Sequence, residues 1–577
     1  MPNFFEDNED IKFHLNTMNL EEIVRLQEKD FTETERYPFA PADYADAMDS
    51  YRRVLGMVGD IAGNFVAPRA ADVDEEGTHF ENGKVTYAKG IAEAIAMLSK
   101  ADLMGFTLPR RYGGLNLPTT IYSTAIEMIS RADASLMNIF GLQDIAETIN
   151  AFASDEIKDE YLPKFCTGEV TGAMVLTEPD AGSDLQAVRL TATEEPGNGV
   201  WRLNGVKRFI TNGCGEILLV LARSEPGTTD GRGLSLFLCE SKDGVRVRRI
   251  EHKMGITGSP TCELQFNNIP ARLIGKRKRG LITYVMALMN GARIGIAGQA
   301  LGIAQAAYNE AVAYAREREQ FGKKIKDIPA VAEMLVNMKV NIEAARTLLY
   351  ETSRFVDLEE NLNERVEAGE KDPALKQRVG PVRKLASALT PMSKYFACEM
   401  AVKVCYDAQQ VHGGSGYMKD YNIERHYRDV RITSIYEGTS QLQAVAILAG
   451  LQGGAVDGRL AEFASRQYDP SLKDLVEKTS RARGLLQKAL DHVKEKKDQG
   501  FTDLSAGRLA DMTCDVYMSY LLLLDAEKSD RKKIVARKFI SDMLPRAEMK
   551  ASQILSGERV VLDRFEALVE SDAPAEE

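Results

Sequence analysis

Glu437 has the surroundings that acid–base chemistry requires. It lies between the apolar pair Ile435-Tyr436 and the flexible pair Gly438-Thr439. An apolar neighbourhood desolvates a carboxylate, which raises its pKa toward neutrality and makes it a better general base. Gly438 has no Cβ, so the backbone can approach a ligand closely there. The segment also fits a simpler interpretation, a glutamate near a helix start that is stabilised by the helix dipole.

Two further segments have the composition to hold a flat polar ring or a phosphate. The turn Thr177-Glu-Pro-Asp-Ala-Gly-Ser-Asp184 brings hydroxyls, a glycine and successive backbone amides together, which suits hydrogen bonding to such an edge. Further along, Phe209 and Thr211 fall on one side of a predicted strand, because side chains alternate with a period of two. The alternatives are an ordinary strand-entry loop for the turn, and core and surface positions for Phe209 and Thr211.

The elements that must position these residues change in type along the chain. Residues 1–49 are predicted to form an N-terminal extension and residues 50–170 a helical domain, with apolar residues at three- and four-residue steps. Short β-rich runs between turn signals predict a small antiparallel β-domain over 171–277. These runs are Val188–Thr193, Leu218–Ala222, Leu234–Leu238, Val245–Arg248 and Cys262–Phe266.

Helical periodicity returns over 278–450 and predicts a second helical domain. The charged stretch Glu359–Arg378 is expected to be a solvated loop between two long helices. Residues 451–577 form an additional helical block that ends in a Glu/Ala/Pro tail expected to be disordered. The predicted chain is therefore mostly α, with one small β-domain at its centre.

Composition excludes several function classes. At 577 residues the chain is long enough for several domains of about 150 residues each. A net charge of −12 argues against nucleic-acid binding, which needs a surplus of Lys and Arg on one face, but not against a single nucleotide. Six histidines without zinc-ligand spacing predict no metal site.

The cellular compartment follows from the cysteines and the apolar runs. Seven scattered cysteines without C-x-x-C predict a reduced, intracellular protein. The acidic start has no apolar signal region, and the run Tyr520–Leu524 is far shorter than a membrane span. We therefore expect a cytoplasmic protein without an integral membrane segment.

Five motifs in one order resemble the acyl-CoA dehydrogenase family over roughly residues 50–450. The family pattern reads T-E-P-x-A-G-S-D, K-x-[WF]-I-T-N-G, R-x-x-F-G, Q-x-x-G-G-x-G-[YF] and Y-E-G-T. The matching segments are Thr177–Asp184, Lys207–Gly213, Arg318–Gly322, Gln410–Tyr417 and Tyr436–Thr439. The resemblance implies an α-domain, a small antiparallel β-domain and a four-helix α-domain, with FAD as the cofactor and fatty-acid β-oxidation as the metabolic setting.

The resemblance also implies which residues bind FAD. They are Met174, Thr177, Ser183, Phe209, Thr211, Arg318, Phe321, Gln410, Gly413, Gly414, Thr439 and Gln441. The turn around Thr177 and Ser183 corresponds to the part of the family's site that holds the flavin ring and ribityl chain. Thr211 corresponds to the residue that forms a hydrogen bond with the flavin near N5. The residues that resemble those gripping the FAD pyrophosphate and adenosine across a subunit interface are Arg318, Phe321, Gln410, Gly413 and Gly414. The family does not use a Rossmann fold, so Gly291, Gly295, Gly298 and Gly302 are interpreted as close helix packing.

For the substrate, the resemblance implies contacts from Ser183, Asn290, Arg293 and Gly438, with Glu437 as the base that removes the α proton of an acyl-CoA. The flavin N5 takes the β hydride, and the backbone N–H of the base helps to stabilise the enolate oxygen. Asn290 stands where the family usually has Asp. A minority branch places its base immediately before the arginine, but that position is Ala292 here, which leaves Glu437.

The acyl tail is expected to be uncharged. Glutaryl-CoA members of the family carry an Arg that binds the distal carboxylate, and the aligned residue in this chain is Met137. Burying a carboxylate against an apolar side chain without a partner is costly.

The long N-terminus, the charged insertion and the C-terminal block resemble an enlarged bacterial branch that includes methylmercaptopropionyl-CoA dehydrogenases. The family implies electron-transfer flavoprotein as acceptor and a homodimer or homotetramer. An acyl-CoA oxidase would use the same residues, so it stays an alternative, as does a non-catalytic binding or assembly protein of the family. The intact motif set disfavours a catalytically inactive protein, and the negative net charge disfavours a DNA-binding relative of the family. Glu at the base position disfavours a nitroalkane-oxidase-like enzyme, because that branch has Asp there.

Overall fold

The computed structural model of the chain describes residues 2–142, 144–197 and 199–569. Its first part is helical apart from one short hairpin, β1 (His79–Glu81) and β2 (Lys84–Thr86). The helices are α1 (Glu9–Thr17), α2 (Glu21–Gln27), α3 (Tyr44–Asp60), α4 (Ala70–Glu76), α5 (Lys89–Lys100), α6 (Thr119–Ala132), α7 (Ala134–Gly141), α8 (Asp144–Phe152) and α9 (Asp155–Thr167). Helix α6 is buried on nearly every side, which makes it the centre of this part.

A small β-domain follows. Its strands are β3 (Gly172–Val175), β4 (Thr191–Glu194), β5 (Trp201–Thr211), β6 (Ile217–Arg223), β7 (Leu234–Glu240), β8 (Arg246–Ile250) and β9 (Thr261–Ile274). The pairing β6–β4–β5–β9–β7 returns to β6, with β3 added to β6 and β8 to β9. Alternate side chains of β6 enter different clusters, Leu218 on one face and Leu219 on the other, as the period of two requires.

Long helices form the next part of the chain. They are α10 (Met286–Glu317), α11 (Pro329–Glu367), α12 (Pro373–His412), α13 (Ile423–Val430) and α14 (Ser440–Gln452), with the two-residue strands β10 (Glu319–Gln320) and β11 (Lys323–Lys324) after α10. Proline is the first residue of both α11 and α12, where its missing N–H costs no hydrogen bond. Helix α10 contributes many of its residues to the core that it shares with α6 and α12.

The C-terminal block consists of α15 (Asp457–Ser465), α16 (Lys473–Lys496), α17 (Gln499–Ala526), α18 (Asp530–Leu555), α19 (Val560–Asp563) and α20 (Phe565–Val569). Its apolar residues form one core with residues of α11, α12 and α14. The tail predicted to be disordered lies largely outside the described residues.

Buried ion pairs join the two ends of the chain. The Lys532 ammonium on α18 bonds Asp10 on α1 and, at 2.8 Å, Glu343 on α11. Arg346 on α11 bonds the same Asp10 and lies 2.6 Å from Glu127 on α6. All five side chains are nearly inaccessible to solvent, so the N-terminal extension and the C-terminal block are tied to the central helices.

The predicted fold class is confirmed, and three local predictions need correction. Most of Glu359–Arg378 is helical, because α11 runs to Glu367 and α12 starts at Pro373; charged residues are good helix formers, so a solvated helix end resembles a loop in sequence. The β-domain is mainly antiparallel, but β3 pairs with β6 in parallel. Of the four α10 glycines, Gly298 and Gly302 are in close packing, whereas Gly291 has open space around it. The domain limits given above stay predictions.

Within the part of the chain that the structure describes, one segment, Gly280–Glu317, is long and apolar enough by length and composition to cross a membrane. It contains α10, which packs inside the helical domain, and the core helix of a globular domain meets the same test.

Candidate active site

The segment that carries Glu437 has an unusual backbone. It joins α13 to α14, and Thr439 caps α14 by accepting a hydrogen bond from the Leu442 N–H. Glu437 has a φ of +54° and Gly438 a φ of +87°. A non-glycine residue in the left-handed region is uncommon and needs support from its surroundings.

Glu437 and Gly438 border a cavity between the β-domain and the helices. The cavity has a volume of about 130 Å³. The β-domain lines it with Met174, Leu176, Thr177, Gly182, Leu185, Phe209, Ile210 and Thr211. The helices line it with Met137, Asn138, Gly141, Leu142, Asp144, Met289, Ala292, Gly295, Ile296 and Tyr436. Six of the predicted site residues therefore meet in one cavity: Glu437, Gly438, Met174, Thr177, Phe209 and Thr211.

The electrostatic surroundings suit Glu437 to take up a proton. Burial raises the pKa of the Glu437 carboxyl to about 7, although the positive charges of Lys394 and Arg293 act in the opposite direction. Part of the side chain remains exposed, because it lies on the cavity wall. A base with a pKa near the working pH combines an available ionised form with enough proton affinity.

The residues around Glu437 are anchored on several sides. The Tyr436 hydroxyl bonds Gln299 on α10 and, at 3.2 Å, Asn138 on α7. Lys394 of α12 donates to the Gly438 carbonyl at 2.6 Å. Gln443 of α14 donates to the carbonyls of Glu437 and Gly438 at 3.2 and 3.1 Å. Sequence reasoning missed Lys394 and Gln443, because neither belongs to a motif whose spacing indicates a contact with Glu437.

The opposite wall is built by the turn after β3 and by the end of β5. Lys207 is fully buried, and its ammonium donates to the Leu176 carbonyl at 2.7 Å and lies 3.0 Å from Glu178. The Arg208 N–H donates to the Thr177 carbonyl at 3.0 Å. These bonds fix the turn against β5.

A bulge in β5 sets the direction of its last side chains. The register between β5 and β9 shifts between Lys207 and Ile210, and Phe209 inside this step has a φ of +60° and is half exposed. An extra residue in one strand re-aims the side chains that follow. Phe209 and Thr211 both line the cavity, as does Ile210 between them, so simple alternation along a regular strand does not account for this arrangement.

The cavity wall fits the FAD that the sequence implies. Within the described residues the hydroxyls of Thr177 and Thr211 have no hydrogen-bond partner, although both residues line the cavity. Phe209 presents an exposed ring beside them. Free donors next to an aromatic surface suit a flat ring with a polar edge.

The remaining substrate residues lie near the cavity mouth or beside it. Arg293 donates to the Asn290 side chain at 3.1 Å, and its Nε has no partner in the described part of the chain. A Cβ placed on Gly438 would lie 3.9 Å from the Arg293 guanidinium. Ser183 is exposed next to Gly182 and does not itself line the cavity.

A second group of predicted FAD residues lies elsewhere. Arg318 and Phe321 follow the end of α10, and Phe321 is 91% exposed. Gln410, Gly413 and Gly414 end α12 and are exposed, with open space around both glycines. The two segments are connected through Tyr314, which stacks on His412 at 4.5 Å and bonds Ser415 at 3.3 Å. Thr439 is the α14 cap, and Gln441 is exposed on its first turn.

Asp144 is a cavity residue that the sequence analysis did not consider. Burial and the nearby Glu147 raise its pKa well above the usual value for an aspartate. In the sequence Asp144 stands three residues before Glu147 in a mixed polar and apolar segment, and nothing there marks it as a cavity residue.

Family profiles match most of the chain in a continuous series. The profile for the acyl-CoA dehydrogenase N-terminal domain matches residues 48–169, that for the middle domain residues 173–269 and that for the C-terminal domain residues 279–452. A fourth profile, described as acyl-CoA dehydrogenase C terminal, matches residues 453–551. The additional helical block is therefore also known from this group of proteins.

Individual relatives agree with the profiles. An acyl-CoA dehydrogenase of Bacillus subtilis is 38% identical over 69% of this chain and 97% of its own length. The 3-methylmercaptopropionyl-CoA dehydrogenase of Ruegeria pomeroyi is 32% identical over 77% of this chain and 79% of its own. The structure of an acyl-CoA dehydrogenase complexed with FAD from Bacillus anthracis covers 91% of both chains with a TM-score of 0.74. At 23% identity this last match supports the fold alone.

Proposed function

Because the chain belongs to the acyl-CoA dehydrogenase family of FAD-dependent oxidoreductases, we propose that it oxidises an acyl-CoA thioester to the trans-2-enoyl-CoA, with Glu437 as the base. The observation that carries the proposal is a carboxyl of pKa about 7 on the wall of the cavity. It faces a β-domain wall with free hydroxyls and an exposed aromatic ring.

Removal of the α proton needs stabilisation of the enolate oxygen, because a thioester α C–H is a very weak acid. The Glu437 N–H has no acceptor within the described chain, and we assign it as one donor to that oxygen. A preorganised donor at the developing charge is among the largest contributions to catalysis. The Glu437 carboxylate then takes the α proton. When bound, FAD supplies the acceptor for the β hydride.

The other predicted residues receive proposed roles in binding. Thr177, Thr211 and Phe209 would hold and cover the flavin ring, with Met174 and Ser183 beside the same turn. Arg293, kept in place by Asn290, has a free Nε and would face the thioester side of the CoA, next to Gly438. Holding the reacting groups in near-attack geometry is the main contribution of such residues.

The exposed group at the ends of α10 and α12 would bind the adenosine end of FAD that belongs to a second copy of the chain. Phe321, 91% exposed in one chain, is the strongest support for an interface there, together with Arg318, Gln410 and the two open glycines. Thr439 and Gln441 would complete the FAD contacts. We expect sedimentation to show a homodimer or homotetramer. The variant Phe321→Asp should dissociate it and lose FAD. A native monomer with full FAD content would refute this part.

An uncharged acyl tail is the proposed substrate class. Met137 lies in the cavity wall, next to Gly295 and Gly141, and no Arg or Lys lines the cavity among the described residues. A distal carboxylate would thus be buried without a cationic partner.

The proposed electron acceptor is electron-transfer flavoprotein, and the proposed location is the cytoplasm. All seven cysteines are free, which fits a reducing compartment. An anaerobic screen of acyl-CoA thioesters for bleaching of the bound flavin tests the reaction. Reoxidation of the reduced enzyme in air, with and without the flavoprotein acceptor, separates a dehydrogenase from an oxidase. Failure of every acyl-CoA to bleach the flavin would overturn the proposal.

A further inference from the structure

Lys394 is a buried cation that no motif of the sequence explains. It lies in the middle of α12 and is 0% exposed. Its ammonium donates to the Gly438 carbonyl at 2.6 Å, across 44 residues of sequence. A buried ammonium without a nearby negative charge is strongly unfavourable, and the Glu437 carboxylate lies close enough to favour the charged form of Lys394.

The bond from Lys394 reaches a constrained part of the backbone. Glu437 and Gly438 both have positive φ, and their carbonyls receive hydrogen bonds only from the side chains of Lys394 and Gln443 within the described residues. A Cβ at Gly438 would come within 2.7 Å of the Gln443 amide. The two donors therefore hold the carbonyls toward α12 and α14.

We propose that Lys394 is a positioning residue for the reaction. Its ammonium fixes the Gly438 carbonyl and with it the backbone of the base, and its positive charge favours the ionised Glu437 carboxylate. The inference rests on the proposed function, because it gives Lys394 a role through Glu437. Gln443 supports the same backbone without a charge.

The charged groups around Glu437 agree with this role. Burial raises the pKa of Glu437, and Lys394 opposes that effect more strongly than Arg293 of α10 does. On α12, Cys398 and Glu399 lie near Lys394; Tyr436 precedes the base, and Asp144 lies on the cavity wall. An opposite charge at close range moves a carboxyl pKa by about one to three units. Without Lys394, the pKa of Glu437 would rise above its value of about 7.

The test is the pH dependence of anaerobic flavin reduction by a good acyl-CoA substrate, measured as the second-order rate constant, which reports groups of the free enzyme. Lys394→Gln keeps a donor for the carbonyl but removes the charge. We expect its acidic limb to move to higher pH by about one unit or more, with the plateau rate at high pH largely kept. Lys394→Met removes both the hydrogen-bond donor and the charge, so the rate at the high-pH plateau should fall as well. The control is Lys403→Met, an exposed lysine of the same helix, which should leave the profile unchanged.

Several outcomes would overturn the inference. One is a folded, FAD-loaded Lys394→Gln enzyme whose profile coincides with that of the native enzyme. If Lys394→Met does not fold, the double variant Lys394→Met/Glu437→Gln distinguishes the two explanations. A folded double variant supports the charge pairing between Lys394 and Glu437. A double variant that does not fold either gives Lys394 a purely structural role. If Glu437→Gln reduces its flavin at the native rate, the proposed function of Glu437 as the base is refuted. That result is distinct from an unshifted pH profile of Lys394→Gln, which refutes only the role of Lys394.

Discussion

Replacing Glu437 by Gln keeps the shape and nearly the volume of the side chain but removes its ability to accept a proton. The cavity offers no clear substitute among the described residues. Of those that line it, only Asp144 also carries a carboxyl, and burial raises the pKa of Asp144 well above the usual value. We therefore expect Glu437→Gln to bind FAD and acyl-CoA while flavin reduction collapses.

The expected loss in the rate of flavin reduction equals the contribution of general base catalysis. General base catalysis contributes about 10²–10⁴-fold, and without an alternative base the loss should reach the upper end. About four decades correspond to about 5 kcal/mol in the activation barrier. Bleaching of the flavin in an anaerobic stopped-flow experiment measures this step directly, free of product release and of the electron acceptor.

Two matched variants identify the cause of such a loss. Glu399→Gln makes the same chemical change on α12, at an exposed residue whose carboxylate accepts a bond from Ser440, and should retain most of the rate. Asp144→Asn tests the other carboxyl of the cavity and should lose far less than Glu437→Gln. If Glu437→Gln reduces its flavin within roughly tenfold of the native rate, a loss of only about 1.4 kcal/mol, Glu437 is not the base.

Three further results are expected. The protein should purify yellow with about one FAD per chain; denaturing release that yields only FMN or NAD, or no flavin after reconstitution, would contradict the cofactor site. Glutaryl-CoA should be oxidised far more slowly than the best monocarboxylic acyl-CoA, because Met137 lines the cavity and no Arg or Lys does so among the described residues; equal turnover would show that the tail region is misassigned. Flavin reduction should fall as the pH drops below about 7, because Glu437 becomes protonated; a rate independent of pH between about 5 and 9 would exclude a base of this pKa.

Local sequence patterns predicted the parts of the site that depend on local structure. The turn after β3, the end of β5 and the segment before α14 each carry their site residues within a few positions, so their composition indicates their chemistry. Phe209 and Thr211 line one cavity together with Ile210, and the bulge at Phe209 that interrupts the alternation leaves no clear signal in the sequence.

Residues that act across long distances in sequence could not be predicted in the same way. Lys394 reaches Gly438 from another helix, and in the sequence it is one lysine in the middle of a long helical pattern. The parallel pairing of β3 with β6 depends on which strand lies nearby, which a short apolar run does not specify. The extent of α11 and α12 was underestimated because solvated helix ends and charged loops have similar compositions.

The buried ion pairs at the chain ends make the C-terminal block part of the stability of the central helices. Lys532→Met removes the cation between Asp10 and Glu343, and loss of one partner of a buried pair costs about 3–5 kcal/mol. We expect a clear drop in the urea midpoint of Lys532→Met, whereas Lys533→Met, a more exposed neighbour paired with the exposed Asp530, should change little. Asp10→Asn should lower the midpoint as well, and the double variant Asp10→Asn/Lys532→Met should lose less than the sum of the two single losses, because both partners are then neutral. Equal midpoints for Lys532→Met and Lys533→Met would mean that apolar packing alone holds the C-terminal block on the central helices.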